Sequence, residues 1–501
     1  MVRVFQGSWV NGSWAEGQGD SIHSSNPAKG FEVVAKGAEA SVAQVELAVA
    51  SATGAAPEWS RTPYETRKTI CLGIEQAMEG RVDALAEAMS LEMGKPIREA
   101  LGEARSLLGK VKVSAIAQEG LPDLALPNAP GESRWKAHGA VGIIGPYNYP
   151  VHLIHTHLMP ALLAGNTVVF KPSEVTPLTG QIYAEILEQM NLPDGVVNMV
   201  QGGGKVGAAL SSHPGLNALC FTGSWATGRR ILEANLDQPG KLLALEMGGR
   251  NAAVVLEDAD VSQALHEVVI GACLTAGQRC TATSRVLVHR DLYDTFSNLL
   301  NGVFQDLVPG DPFADETLLG PMATEAAFKR YLARLEEIES WGIKALVPNR
   351  VLDGGAYVTP SIHVRPDGGG DFWDAYIGEE LFGPNVALES FSSVDEAHER
   401  LATTAYGLSQ SVFTRSSSRF EEWVQSSRCG IFNWNRSTNN ASGLLPFGGL
   451  GQSGNFRPAG AGSAMYSSYP VAVLKREYGV VDWDARFGPV VQRALKVSEE
   501  S

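Results

Sequence analysis

Apolar residues recur at three- and four-residue spacing through much of residues 41–120. From about residue 141 the pattern changes to short unbroken apolar runs separated by amphipathic stretches. The first pattern predicts helices. Ser41 is placed to cap one that runs to about Ala52, and "ETRKTICLGIEQAMEGRVDALAEAMSLEMG" and "REALGEARSLLGKVKVSAIAQEG" continue the helical series. Ahead of them, "FQGSWVNGSWAEG" reads as a β-hairpin, because Asn11-Gly12 suits the two left-handed positions of a type I′ turn.

The second pattern predicts alternating strands and helices. "VGIIGP" precedes an apolar helix to about Leu163, and "NTVVFKPS" precedes "LTGQIYAEILEQM". "GVVNMVQG" leads to "KVGAALSSH", "ALCFTGS" leads to "TGRRILEANL", and "KLLALEMGG" closes the series. Strand starts near 166, 196, 218 and 242 lie 22 to 30 residues apart. That is the spacing of successive right-handed βα units in a parallel sheet, whose buried strands are continuously apolar, as "VVF" and "LLAL" are. A second α/β series begins near "NAAVVLED" and "SRVLVHR" and runs to about residue 430. "SSYPVAVLKREY" reads as a strand with no neighbour in sequence, so it pairs with a distant segment or with another subunit.

The 501 residues suffice for two or three domains, and 44% hydrophobic against 19% charged residues gives a globular chain. A net charge of −15 argues against a nucleic-acid partner. It leaves room for a small anionic substrate, since a few cations can reverse the field inside a cleft. The start "MVRVFQGSWVNGSW" has no apolar region of a signal peptide, and no apolar run reaches the ~20 residues of a membrane span. Cys71, Cys220, Cys273, Cys280 and Cys429 are scattered and odd in number, with no CxxC pair. They suit neither a disulfide framework nor a metal site, and a reducing cytoplasm is the natural setting.

Cys280 is unlike the others. In "LTAGQRCTAT" it sits in a polar stretch beside Arg279, a setting that lowers a thiol pKa and keeps the sulfur reachable. A structural cysteine remains the alternative. In "GPYNYP" Asn148 can donate a side-chain N–H, or be satisfied by its own turn. In "VVFKPSE" Lys171 and Glu174 end a parallel strand, where open α/β sheets bind ligands, or else form a surface pair. In "FTGSWATG" Gly223 and Gly228 flank a strand-to-helix turn able to bring N–H groups to a phosphate. Glu246 in "ALEMGG" ends an apolar strand and is either desolvated or held in a solvated turn. As types, these residues describe aldehyde oxidation. A thiolate attacks, N–H donors hold the alkoxide, hydride leaves to a nicotinamide, and a carboxylate activates water on the thioester.

The motifs "GPYNYP", "VFKPSE", "FTGS", "LEMGG", "GQRC", "EELFGP" and "PFGGLGQSG", in this order and spacing up to about residue 477, resemble the aldehyde dehydrogenase superfamily. The resemblance implies Cys280 as nucleophile, Asn148 as oxyanion donor and Glu246 as general base. It implies NAD as cofactor, with Lys171, Ser173 and Glu174 toward the adenosine ribose, Gly223 and Ser224 at the pyrophosphate, and Glu380 with Phe382 at the nicotinamide ribose. Phe447, Tyr149 and Leu153 then border the substrate. The implied fold is α/β: a Rossmann-type NAD-binding domain (1–120 and 140–246), an α/β catalytic domain (247–436), and a small oligomerisation arm (121–139 and 458–477) ahead of a tail (478–501). The implied assembly is a homodimer or homotetramer.

The similarity is strongest toward the branch that oxidises a dicarboxylic semialdehyde, carried by "FNWNRSTNNASGLLPFGGLGQSGNFRP" and by His152 and His157. Two carboxylates on the substrate need cationic partners, and Arg436 and Arg457 flank Phe447 in sequence. Arg250-Asn251-Ala252 departs from the family's Asn-Asn-Pro, and residues 437–445 depart from its Ala- and Ser-rich loop. A cysteine hydrolase or acyltransferase without hydride transfer, a CoA-acylating enzyme and a silent structural relative are the alternatives. The motifs on the NAD side and Glu246 count against them.

Overall fold

The structure, a computed structural model, describes every residue except Met1, Asn191, Glu500 and Ser501. The first residue of the expected nucleotide-binding domain, one within it and the last two of the tail therefore lie outside the described residues. One compact unit takes in the residues up to Leu121 together with Ala137–Ser468; a second takes in Pro122–Lys136 and the residues from Tyr469 onward.

The first unit holds two seven-stranded sheets. In the first, the order is Leu242–Met247, Ala218–Gly223, Ala140–Ile144, Thr167–Lys171, Val197–Met199, Ser8–Val10, Ser13–Ala15. The first five of these strands are parallel, and by chain order they run five-four-one-two-three, the doubly wound arrangement. Connections leave the first strand on one side and the fourth on the other, so a crevice opens beyond Ile144 and Gly223. Alternate residues feed two cores: Val141, Ile143, Val168 and Phe170 face one, while Ile144, Val169 and Phe221 face the other. That is why these strands read as unbroken apolar runs.

At the far edge, Asn11 (φ 52) and Gly12 (φ 74) make the two-residue turn of the Ser8–Val10/Ser13–Ala15 hairpin. Ser41 and Gln44 form a capping box, but the helix runs from Val42 to Arg61 and passes through Pro57 instead of stopping near Ala52. A small sheet of Arg3–Val4, Ser21–Asn26 and Glu32–Ala38 was not legible in the pattern.

The second large sheet is ordered Ala345–Val347, Ser361–Val364, Asn385–Phe391, Thr283–His289, Asn251–Val255, Ser409–Phe413, Ile431–Trp434. All neighbours in it are parallel except the first pair. In the second unit, the tail strand Ser468–Leu474 finds its partner in Gly131–Ala137. Residues 458–467, grouped with that arm by sequence, lie in the first unit. Among the described residues no helix is long and apolar enough to cross a membrane.

The second sheet carries a charged centre. Arg285 and Glu389, 0% and 1% exposed in their side chains, pair at 2.7 Å across adjacent strands, and Arg285 also donates to the Arg400 carbonyl. Removing one partner strands a buried charge. Arg285→Met is expected to lower stability by about 3–5 kcal/mol, read as a fall in the urea midpoint. Adding Glu389→Leu should recover a large part of that loss; no recovery would mean that packing, and not the stranded charge, was responsible.

Candidate active site

The helix Val261–Cys273 ends against a turn that an ordinary sequence would not adopt. Thr275 (φ 56), Ala276 (φ 52) and Gly277 (φ 67) are left-handed in succession. Two of the three carry a Cβ, at a cost of about 1–3 kcal/mol each. Glu99, from the helix Ile97–Ser106, offsets it: its carboxylate accepts from the Thr275 amide (3.2 Å), the Thr275 hydroxyl (2.7 Å) and the Arg279 guanidinium (2.7 Å). Gln278 is fully buried and ties the turn to the Thr275 carbonyl and the Ala323 amide. Asn251 then holds the carbonyls of Cys280 (2.8 Å) and Ala282 (2.9 Å). The backbone at Cys280 is fixed on both sides while its side chain stays partly exposed.

The expectation of a lowered thiol pKa is corrected. Burial pushes the Cys280 thiol up to about 12, and the Glu380 and Glu246 carboxylates add to the rise. Arg279 cannot reverse this, because its guanidinium is turned onto Glu99. Cys71, Cys220 and Cys273 are buried outright.

Asn148 follows the strand Ala140–Ile144 and is 4% exposed. Its Nδ2 donates to the Gln278 carbonyl at 2.9 Å, so it is not a turn residue satisfied locally. Its own carbonyl accepts from Lys95 Nζ at 2.6 Å. Lys95 also pairs with Glu103, both 1% exposed in their side chains, and lies 4.1 Å from the centre of the Tyr149 ring; Arg279 lies 5.4 Å from the same ring. Tyr149 is thus flanked by two cations, each held by its own acid. Leu153 is half-buried one turn further on.

Glu246 ends the strand Leu242–Met247 and is 3% exposed. Its Oε2 has no hydrogen-bond partner among the described residues. Burial raises its pKa well above the carboxylate range, against a smaller opposing effect from the Ala459 and Gly449 amides. Of the two environments left open by sequence, the desolvated one holds. The "PFGGLGQSGN" segment is laced onto this strand: Met247 N donates to the Ser453 carbonyl, Leu245 N to Asn455 Oδ1, and Asn455 Nδ2 to the Leu243 carbonyl. Glu380 accepts from the Gly249 amide at 3.0 Å and is pushed up to about 7 by burial. Phe382 (φ 54) meets the Tyr147 ring edge-on at 6.0 Å.

Along the crevice, Lys171 is buried, and its Nζ donates to the Pro172 carbonyl (2.8 Å), the Gly202 carbonyl (2.7 Å) and Glu174 (3.4 Å). It is no surface lysine. Glu174 is half-exposed, and Ser173 Oγ accepts from the Val175 amide. Ser224 caps the helix Trp225–Ala234 by accepting from the Thr227 amide. Gly223 precedes it and packs on the Phe221 ring, while Gly228 packs on Met247.

Phe447 is half-buried in a short strand paired with Ala459–Gly460. The two arginines looked to for substrate carboxylates are both exposed: Arg436 bonds Asn440 and Arg457 bonds the Phe456 carbonyl. Arg250 is buried against Tyr376, 4.9 Å from its ring centre. Lys95, Glu99, Glu103 and Asn251 were missed by sequence reasoning. The signal was present in "MGKPIREALGEAR", where Glu99 and Glu103 share one helix face behind a Gly-Lys-Pro break.

Residues 14–470 match the aldehyde dehydrogenase family. The chain belongs to that family. It is 37% identical over 476 residues to N-succinylglutamate 5-semialdehyde dehydrogenase of Escherichia coli K12, covering 94% of this chain and 95% of the relative. The same enzyme of Klebsiella pneumoniae is 37% identical over 473 residues, 93% of this chain and 95% of the relative. Among solved structures, betaine aldehyde dehydrogenase of Staphylococcus aureus in complex with NAD+ superposes with a TM-score of 0.90 at 26% identity, over 96% of this chain and 97% of that one. Aldehyde dehydrogenase C of Pseudomonas syringae with NAD+ and octanal superposes at 0.89 and 30% identity, over 96% of this chain and all of that one.

A thiol held as high as about 12 ionises little at neutral pH. Alkylation of Cys280 by iodoacetamide in the absence of nucleotide should accelerate about tenfold per pH unit from pH 7 to 10, in proportion to thiolate. A plateau near pH 8, followed by peptide mapping of Cys280, would show a thiolate already formed.

Proposed function

We propose that this protein is an NAD-dependent dehydrogenase that oxidises an aldehyde to a carboxylate, with a semialdehyde bearing carboxylates as its substrate. The observation that carries this is the Asn148–Gln278 hydrogen bond. It ties a side-chain amide to the residue two positions before Cys280, across 130 residues of chain. The high identity to N-succinylglutamate 5-semialdehyde dehydrogenases supports the substrate class.

The residues of the crevice fit a dinucleotide. A helix N-terminus capped by Ser224 follows Gly223, a Cβ on Gly204 at the start of the next-door helix would meet nothing within 4 Å, and Glu174 leaves a carboxylate facing solvent. These suit a pyrophosphate and a ribose diol. Lys171, Ser173 and Glu174 would hold the adenosine end, Gly223 and Ser224 the phosphates, and Glu380 and Phe382 the nicotinamide end. A carboxylate at Glu174 disfavours a 2′-phosphate, so NAD is preferred over NADP. When bound, NAD supplies the hydride acceptor.

The chain's own residues do the rest. Cys280 Sγ gives up its proton to solvent water and attacks the carbonyl carbon. The alkoxide takes hydrogen bonds from Asn148 Nδ2, whose other N–H is spent on Gln278, and from the Cys280 amide. After oxidation the acyl group remains on sulfur as a thioester. Glu246 then deprotonates water, which attacks the acyl carbon and returns the thiol. Tyr149 and Phe447 offer apolar walls to the substrate chain. The protein acts as a homo-oligomer with no nucleic-acid or membrane partner, the Gly131–Ala137 and Ser468–Leu474 pair being its assembly edge.

Cys280→Ala is expected to abolish NADH formation at 340 nm while nucleotide binding persists; more than about a tenth of the turnover remaining would move the chemistry elsewhere. Asn148→Ala should slow hydride transfer by roughly 10²–10³. Glu246→Gln should leave a pre-steady-state burst of NADH followed by slow turnover. Because the Glu246 carboxylate is lost as pH falls through a raised pKa, the acid limb of kcat should lie above the ordinary carboxylate range and vanish in that variant. Loss of the burst itself would place Glu246 before hydride transfer.

A further inference from the structure

Lys110 opens the helix Lys110–Glu119, immediately after Gly109 in the left-handed region. It is half-buried, and among the described residues its Nζ has no hydrogen bond and no ion pair. Each aspect of this placement is unfavourable for a cation. Helix N-termini favour anions, and desolvation disfavours the charged form. Burial pulls this ammonium down to about 8 with nothing to offset the fall. The nearby acids are engaged elsewhere: Glu75 accepts from the Val111 amide at 2.6 Å, and Glu103 is paired with Lys95.

The surroundings locate this cation relative to the chemistry. Burial holds the His152 and His155 rings neutral, and the charge of Lys110 adds to this at both, with Lys95 also acting on His152. His152 Nδ1 is 2.8 Å from Ser106 Oγ, and its ring lies 5.7 Å from that of Tyr149. Tyr149 is the neighbour of Asn148 and feels the charge of Cys280. On the other side, a Cβ on Gly443 would come within 2.7 Å of Lys110 Nζ, so the 437–445 loop passes directly over the ammonium. Arg436 and Arg457, by contrast, are exposed and make only local bonds.

We infer that Lys110, with His152 and the Gly443 turn, is the subsite that receives a carboxylate of the substrate remote from its aldehyde. This rests on the reading of the protein as a semialdehyde dehydrogenase. It moves the recognition of charge from the two arginines to a lysine. His152 opens the helix that follows the loop carrying Asn148. A side chain at position 443 would push the Lys110 ammonium aside.

Lys110→Met and Lys110→Arg test it against the wild type. With N-succinylglutamate 5-semialdehyde and octanal as probes, the ratio of their kcat/KM values should fall at least tenfold in the Met variant and be largely kept in Arg. N-succinylglutamate, titrated by calorimetry without NAD, should bind at least tenfold more weakly to the Met variant. That second readout reports the subsite even if neither aldehyde is turned over, in which case the reading as a semialdehyde dehydrogenase fails by itself. Equal losses on both aldehydes with unchanged binding of N-succinylglutamate would overturn the subsite, as would an Arg variant no better than Met.

Discussion

The grip of one carboxylate on three consecutive left-handed residues governs the geometry of the site. Glu99 alone meets the Thr275 amide, the Thr275 hydroxyl and the Arg279 guanidinium. Those contacts make the turn at Thr275–Gly277 tolerable, and the turn delivers the Gln278 carbonyl to Asn148 and Cys280 to the pocket. The same arrangement takes Arg279 away from the thiol. A residue that looks in sequence like an electrostatic activator serves instead as a structural tie.

Charge in this pocket is arranged by withholding partners as much as by supplying them. Lys95 and Glu103 satisfy each other, and so do Arg279 and Glu99. Glu246 keeps an oxygen with no donor, and Lys110 keeps its ammonium with no acceptor. An unsatisfied buried group is costly in a protein at rest. Glu246 is such a group, an acid whose charge acts on the nucleophile, while Lys110 is a half-buried cation beneath a loop. Together they suit a substrate that is electrophilic at one end and anionic at the other.

Much of this was readable from the chain. The run-and-gap pattern from residue 141 gave the five parallel strands within a residue or so, since a strand buried on both faces leaves an unmistakable apolar run. Glu246 stood out because it ends such a run, Asn148 because it lies in the turn after one, and Cys280 because it sits in a polar stretch beside Arg279. The parts not readable depend on contacts between distant segments. Nothing in "EMGKPIREALGEAR" says that Glu99 will meet Thr275, 176 residues on. The sense of the Cys280 pKa shift also depended on burial, and then on two acids, Glu380 and Glu246, that only the fold brings near. Arg436 and Arg457 looked right by nearness in sequence, yet both face outward, and the unpaired cation came from a helix that carried no motif.

The height of the Cys280 thiol has a consequence for the durability of the protein. Sulfur attacks peroxide and disulfides as the thiolate, and the oxidation ladder is climbed from that form. A sulfur kept protonated by its own surroundings is sheltered in the resting chain, although it is partly exposed and follows a strained turn. Its corrosion resistance comes from the same dry, acidic lining that makes its reactivity conditional on what enters the pocket.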